Sequence, residues 1–100
     1  MDNKFLDTYI DQLIIDKKIE ITSKNELIRV KNQLKERIED AINTMVLNEL
    51  PEEKIDIFEK LLDANSSLDK INYYLNKNIE NLDNKVLEVL LNFRNEYLIG

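Results

Sequence analysis

The stretch that decides the fold is Leu82-Asp83-Asn84-Lys85-Val86-Leu87-Glu88-Val89-Leu90-Leu91-Asn92-Phe93-Arg94-Asn95-Glu96-Tyr97-Leu98. Wound at 3.6 residues per turn, it places Leu82, Val86, Val89, Leu90, Phe93 and Tyr97 on one face. Leu87, Leu91 and Leu98 form a second stripe roughly 100° further round the axis. A helix with two apolar sides is either central in its own domain or shared with a partner, and the second stripe is where those alternatives part.

Outward from this segment, the composition favours helices throughout. The chain has 100 residues with one Gly and one Pro, too few to build the turns of a sheet protein. It is 43% hydrophobic and 34% charged, the balance of a folded domain and not of a disordered chain. Turn duty falls to Asn, which tolerates the left-handed region better than other residues with a side chain. Asn48, Asn65 and Asn78 each stand where an apolar helical pattern stops.

Five helices are expected, at about 3–17, 24–47, 51–64, 67–76 and 82–98. Asp2 is placed to cap the first, whose apolar half is Phe5, Leu6, Tyr9, Ile10, Leu13 and Ile14. Residues 18–22 alternate like a strand but have no second strand to pair with. They are expected as an extended linker that tucks Ile19 or Ile21 inward. Ser23-Lys24-Asn25-Glu26 fits a capping box, the hydroxyl accepting from one free backbone N–H and the carboxylate reaching back to another. Leu27, Val30, Leu34, Ile38, Ala41, Ile42 and Met45 then share one face of the second helix, while Glu36, Glu39, Asp40 and Asn43 face away. Pro51 opens the third helix in its first turn, where a missing N–H costs nothing. Ile55, Phe58 and Leu62 oppose Ile57, Leu61 and Ala64, so this helix is expected to be buried between neighbours. Ser66 or Ser67 caps the fourth helix, and residues 76–80 break its pattern. Asn81 caps the fifth. The result is an all-α, single compact bundle of four to five helices covering residues 1–100, with connections of the usual bundle length.

The residue types present exclude many chemistries. There is no His, so the commonest general base and transition-metal ligand is missing. With no Cys, the usual zinc sites and thiolate nucleophiles are excluded too. The lone Gly cannot build a phosphate-cradling loop, and the Asp and Glu spacings fit no EF-hand. Glu36, Glu39 and Asp40 form the densest acidic spot and read as a solvated face paired with Lys35 and Arg37. Ser23, Ser66 and Ser67 read as caps. The chain is therefore not expected to be an enzyme, and no cofactor or metal is expected.

Net charge is −6, which disfavours nonspecific contact with nucleic acid or an anionic membrane. No apolar run approaches the ~20 residues of a membrane span. The first residues, Met1-Asp2-Asn3-Lys4, lack the basic start and apolar run of a signal peptide, so the cytoplasm is the expected location. One segment departs from the acidic average. Lys17, Lys18, Lys24, Arg29, Lys31, Lys35 and Arg37 outnumber Glu20, Glu26 and Glu36 across residues 17–37. This segment would serve a nucleic-acid or ribosome-associated factor, although its cations do not share a helix face and no aromatic residues interleave with them. Tyr73 points off the apolar face of its helix, which makes it available to a partner. The leading expectation is a noncatalytic protein-interaction module, self-associating or bound to a protein partner, with Leu87, Leu91, Leu98 and Tyr73 as contacts.

Residues 34–98 resemble a domain-of-unknown-function family of small all-helical bacterial proteins. The resemblance rests on Leu50-Pro51-Glu52-Glu53, Phe58-Glu59-Lys60-Leu61-Leu62, Tyr74-Leu75 with Ile79-Glu80-Asn81-Leu82, and Phe93-Arg94. Glu80 stands where the family pattern has Pro. The family has no assigned activity, so the resemblance implies the helical fold alone.

Overall fold

A computed structural model describes residues 3–99, apart from the side chains of Asn3 and Leu68. Five helices follow in order: α1 (Asn3–Lys17), α2 (Lys24–Glu49), α3 (Glu52–Asp63), α4 (Leu68–Asn78) and α5 (Leu82–Ile99). The all-α expectation is borne out. Asp2, expected as the cap of α1, lies outside the described residues.

Cross-helix contacts fix the directions. Asp11 of α1 meets Lys31 of α2 at 2.7 Å, and Glu49 of α2 meets Lys85 of α5 at 2.9 Å. Asp16 of α1 meets Arg94 of α5 at 2.7 Å, while Tyr9 donates to the Leu90 carbonyl. Thus α1 and α5 run parallel, and α2 runs against both. The α3–α4 hairpin joins the lower end of α2 to the start of α5, drawing the molecule out to 46 × 26 × 19 Å.

The apolar residues bury in two clusters. The upper one joins Leu6, Ile10, Leu13 and Ile14 of α1 to Leu34 and Ile38 of α2 and Leu90 of α5. The lower one joins Val46 and Leu50 to Phe58, Leu75, Ile79 and Leu82. Ile42 and Val86 pack against both. Of the first stripe of α5, Leu82 and Leu90 are buried and Val86, Phe93 and Tyr97 pack against the cores, so α5 is a shared wall of both.

The helix ends show which residues set the boundaries. α1 closes with Lys18 in the left-handed region at φ 58°. The Lys18 N–H bonds the Ile15 carbonyl and the Ile19 N–H bonds that of Ile14, a Schellman arrangement. It turns the chain so that Ile19 and then Ile21 pack on the upper core, the inward tuck expected of this linker. Asn65 ends α3 in the same way at φ 53°, with Asn65 and Ser66 bonding back to Leu62 and Leu61. Asn48 and Asn78, by contrast, are helical. α2 passes Asn48 and stops at Leu50, whose ψ of 137° is the extended state forced on a residue before Pro51. Asn78 stays helical with its side-chain amide donating to the Tyr74 carbonyl at 2.8 Å. Hence α4 reaches Asn78, beyond the expected residue 76, and Ile79 turns into the lower core. Asn81 serves through its backbone, not as a side-chain cap. It sits at φ 57°, and its carbonyl accepts from the Lys85 N–H.

The capping box at α2 forms with one change. Ser23 Oγ accepts from the Glu26 N–H at 3.1 Å, but the Glu26 carboxylate accepts from the hydroxyl and N–H of Thr22. Ser67, not Ser66, caps α4 by accepting from the Lys70 N–H. The expected burial of α3 on all sides does not occur. Phe58 is buried, but Ile57 and Leu62 are open to solvent, because α3 lies at the end of the molecule and packs mainly on α4.

Candidate functional site

Among the sequence-predicted contacts, Leu87 and Leu91 remain 48% and 62% exposed. Leu98, on the same stripe, is half-buried. The stripe is also divided. Arg94 lies between Leu91 and Leu98 along it and reaches across to Asp16, which in turn accepts from Gln12 at 2.9 Å. This polar bar ties α1 to α5 and separates Leu98 from the other two leucines. Those two hydrogen bonds, first from Gln12 and then from Arg94, hold the Asp16 carboxyl below its ordinary range.

Below the bar the surface opens into a groove of about 400 Å³. Its position follows from the helix lengths. α1 begins beside the second turn of α5, so it covers only the upper part of the α2–α5 layer. α4 covers the lower part from the other side. Between them the floor is Ile42, Val46, Leu82, Val86 and Leu90, with Leu75 on the α4 wall. Phe5, 47% exposed, faces Leu87 across the mouth. Asn72 and Asn76 of α4 and Asp83 of α5 are the polar residues of the lining. A groove with apolar walls and exposed apolar lips suits another apolar surface better than a polar substrate.

Phe5 was missed as a surface residue because its position falls within the apolar half of α1. Only the start of α1 above α4 reveals that Phe5 has no neighbour to cover it. Tyr73 is 67% exposed as expected, with Lys77 Nζ 5.3 Å from its ring centroid. It is outside the groove lining, on the part of α4 that carries Lys77, so the structure does not join it to Leu87.

Of the basic residues of segment 17–37, the structure brings Lys17 and Arg37 together on the Tyr97 ring, while Lys31 pairs with α1. Lys17 donates to the Tyr97 carbonyl at 2.6 Å and lies 5.3 Å from the Tyr97 ring centroid. Arg37 stacks over Phe93 and Tyr97 at 5.2 and 5.8 Å, rings that themselves stack at 6.1 Å. Lys31 pairs with Asp11. These three cations hold helices together, while Lys18, Lys24 and Arg29 are exposed and Lys35 is half-buried.

The titrating groups show how little the interior asks of acid–base chemistry. Burial raises the phenols of Tyr9, Tyr74 and Tyr97, with Arg94 opposing the rise at Tyr9 and Arg37 opposing it at Tyr97. Tyr9 and Tyr74 each donate to a backbone carbonyl, of Leu90 and Lys54. Glu26, like Asp16, is held low by hydrogen bonds, in its case chiefly from the Thr22 hydroxyl. Among the described residues, no three metal-ligating side chains converge and no helix is long and apolar enough to cross a membrane. No protein-family model, no curated protein and no solved structure matches the chain.

Proposed function

We propose that this chain is a noncatalytic interaction module that docks a helical segment of a partner protein into the groove between α1, α4 and α5. The observation that carries this reading is the joint exposure of Phe5 and Leu87 in the lining of an apolar groove, with Leu91 exposed one turn further along α5. Fully burying a large apolar side chain is worth about 1.5–3 kcal/mol, and because Phe5 and Leu87 are about half exposed a partner recovers roughly half of that at each on docking. A helix is the fitting occupant. The groove walls are helices whose backbone groups bond internally, so an extended peptide finds no ladder to join there. A helix brings its own backbone already satisfied and packs ridge into groove.

We place the protein in the cytoplasm on the charge and hydropathy of the chain. We keep the kinship with the small helical bacterial family as part of this proposal. Leu50, Phe58, Leu75, Ile79 and Leu82, from its motifs, all belong to the lower core.

The test is capture of partners from native cytoplasm by wild-type protein and by Leu87→Asp, the exposed leucine of the groove lining, followed by titration of each captured protein after purification. The expected result is a direct partner bound by wild type and released by Leu87→Asp, with the variant melting only ~2–4 °C below wild type. Equal binding of every captured protein by both forms would remove the groove from the function. Sizing by light scattering reads self-association in the same samples.

A further inference from the structure

The groove has two chemically different ends. Its upper end is apolar, closed by Phe5 of α1 and Leu90 of α5 where Tyr9 donates to the Leu90 carbonyl. Its lower end runs, through the shared residues Asn76, Leu82 and Asp83, into a second depression that adds Glu80 and the amides of Asn81 and Asn84. Glu80 and Asp83 therefore stand together at this end. No cation pairs with either among the described residues. The nearby lysines are committed elsewhere: Lys85 to Glu49, and Lys77 to the Tyr73 ring. Apolar walls closed at one end by unpaired acids specify both the stripe and the polarity of what docks.

We propose, building on the docking function above, that the occupant is an amphipathic partner helix with an apolar stripe and Lys or Arg at the end that lies over Glu80 and Asp83. From Leu82 to Leu90, the α5 residues of the lining, the helix rises about 12 Å, so the groove takes roughly two turns of the partner. The basic residues fall one turn beyond its last apolar anchor. A second copy of this chain is the poorer occupant, because it brings a like net charge of −6 to a surface already short of cations. The acids set orientation and encounter rate more than total affinity, since both stay solvated.

Two synthetic peptides of about 18 residues, long enough to form helix on binding, test this directly. They share one leucine stripe and differ only in carrying paired Lys or paired Glu at one end. Fluorescence anisotropy against the full chain is expected to show the Lys peptide binding about tenfold tighter at low salt. The difference should shrink as salt screens it, and the Glu80→Gln/Asp83→Asn double variant should abolish it. Leu87→Ser/Leu91→Ser should weaken both peptides alike. Equal affinity of the two peptides would overturn the charge inference and leave docking intact. No saturable binding of either, or binding unchanged in Leu87→Ser/Leu91→Ser, would overturn both. A concentration-dependent dimer dissolved by Leu87→Ser would make a second copy the occupant and overturn the inference.

Discussion

Leu90 and Leu91 are neighbours in sequence and opposites in burial, which makes them a sharp test of how α5 is rotated. Leu90 is 3% exposed in the upper core, and Leu91 is 62% exposed beside the groove. Truncating a buried leucine to alanine costs roughly 2–5 kcal/mol, the transfer of the lost groups plus the cavity they leave. For a domain of this size each kcal/mol moves the melting point by about 4–8 °C. Leu90→Ala should therefore lower Tm by about 8–40 °C. Leu91→Asp creates no cavity and buries no charge. Its cost is that of a surface change and a poorer helix former, about 0.5 kcal/mol, or ~2–4 °C. Thermal melts followed by circular dichroism at 222 nm measure both. If Leu91→Asp melts as early as Leu90→Ala, Leu91 is a core residue, α5 is turned from the orientation described, and the groove loses its lip.

Replacing Tyr9 by Phe removes the bond to the Leu90 carbonyl and should cost about 0.5–1.5 kcal/mol in urea unfolding at neutral pH. Burial raises the Tyr9 phenol above its ordinary value of 10.0, so its contribution is whole below that value and falls as pH rises through the folded one. Tyr9→Phe should accordingly lose less stability than wild type on going to strongly alkaline pH. Glu26 has the opposite sign. Its lowered carboxyl stabilises above the ordinary value of 4.5 and that contribution disappears as pH falls through the folded value. Acid melts should therefore be shallower for Glu26→Gln, and identical slopes would remove the capping role. Lys18 holds a left-handed φ of 58° that glycine adopts without strain, so Lys18→Gly should raise stability by about 0.5–1 kcal/mol, and a fall in Tm would contradict the Schellman ending of α1.

What the sequence made legible was periodicity; what it concealed was adjacency. The first stripe of α5 and the apolar face of α2 were readable because burial repeats with the helix. The end of α2 was misplaced at residue 47 because Asn48 looked like a stop, while the deciding constraint, Pro51 acting back on Leu50, is steric and local. Lys18 gave no sign of its left-handed backbone, since lysine has no preference for it. The split of the leucine stripe depends on Arg94 finding Asp16 from the far end of the chain, which no spacing within α5 reveals. The groove itself arises where α1 starts relative to α4, and that relation exists only once the hairpin has folded back.

The two cores meet through Ile42 and Val86, the residues packed against both. This seam lies on α2 and α5, which run through both cores, whereas the helices of the α3–α4 hairpin add only Phe58 and Leu75 to the buried residues of the lower one. The hairpin of α3 and α4 can open while the α1–α2–α5 bundle stays closed, and its amides should exchange with solvent through that partial opening before those of Leu34 or Ile38. A guest in the groove would grip both sides of the seam, so its arrival would slow the exchange of the hairpin, far from most of the atoms it touches.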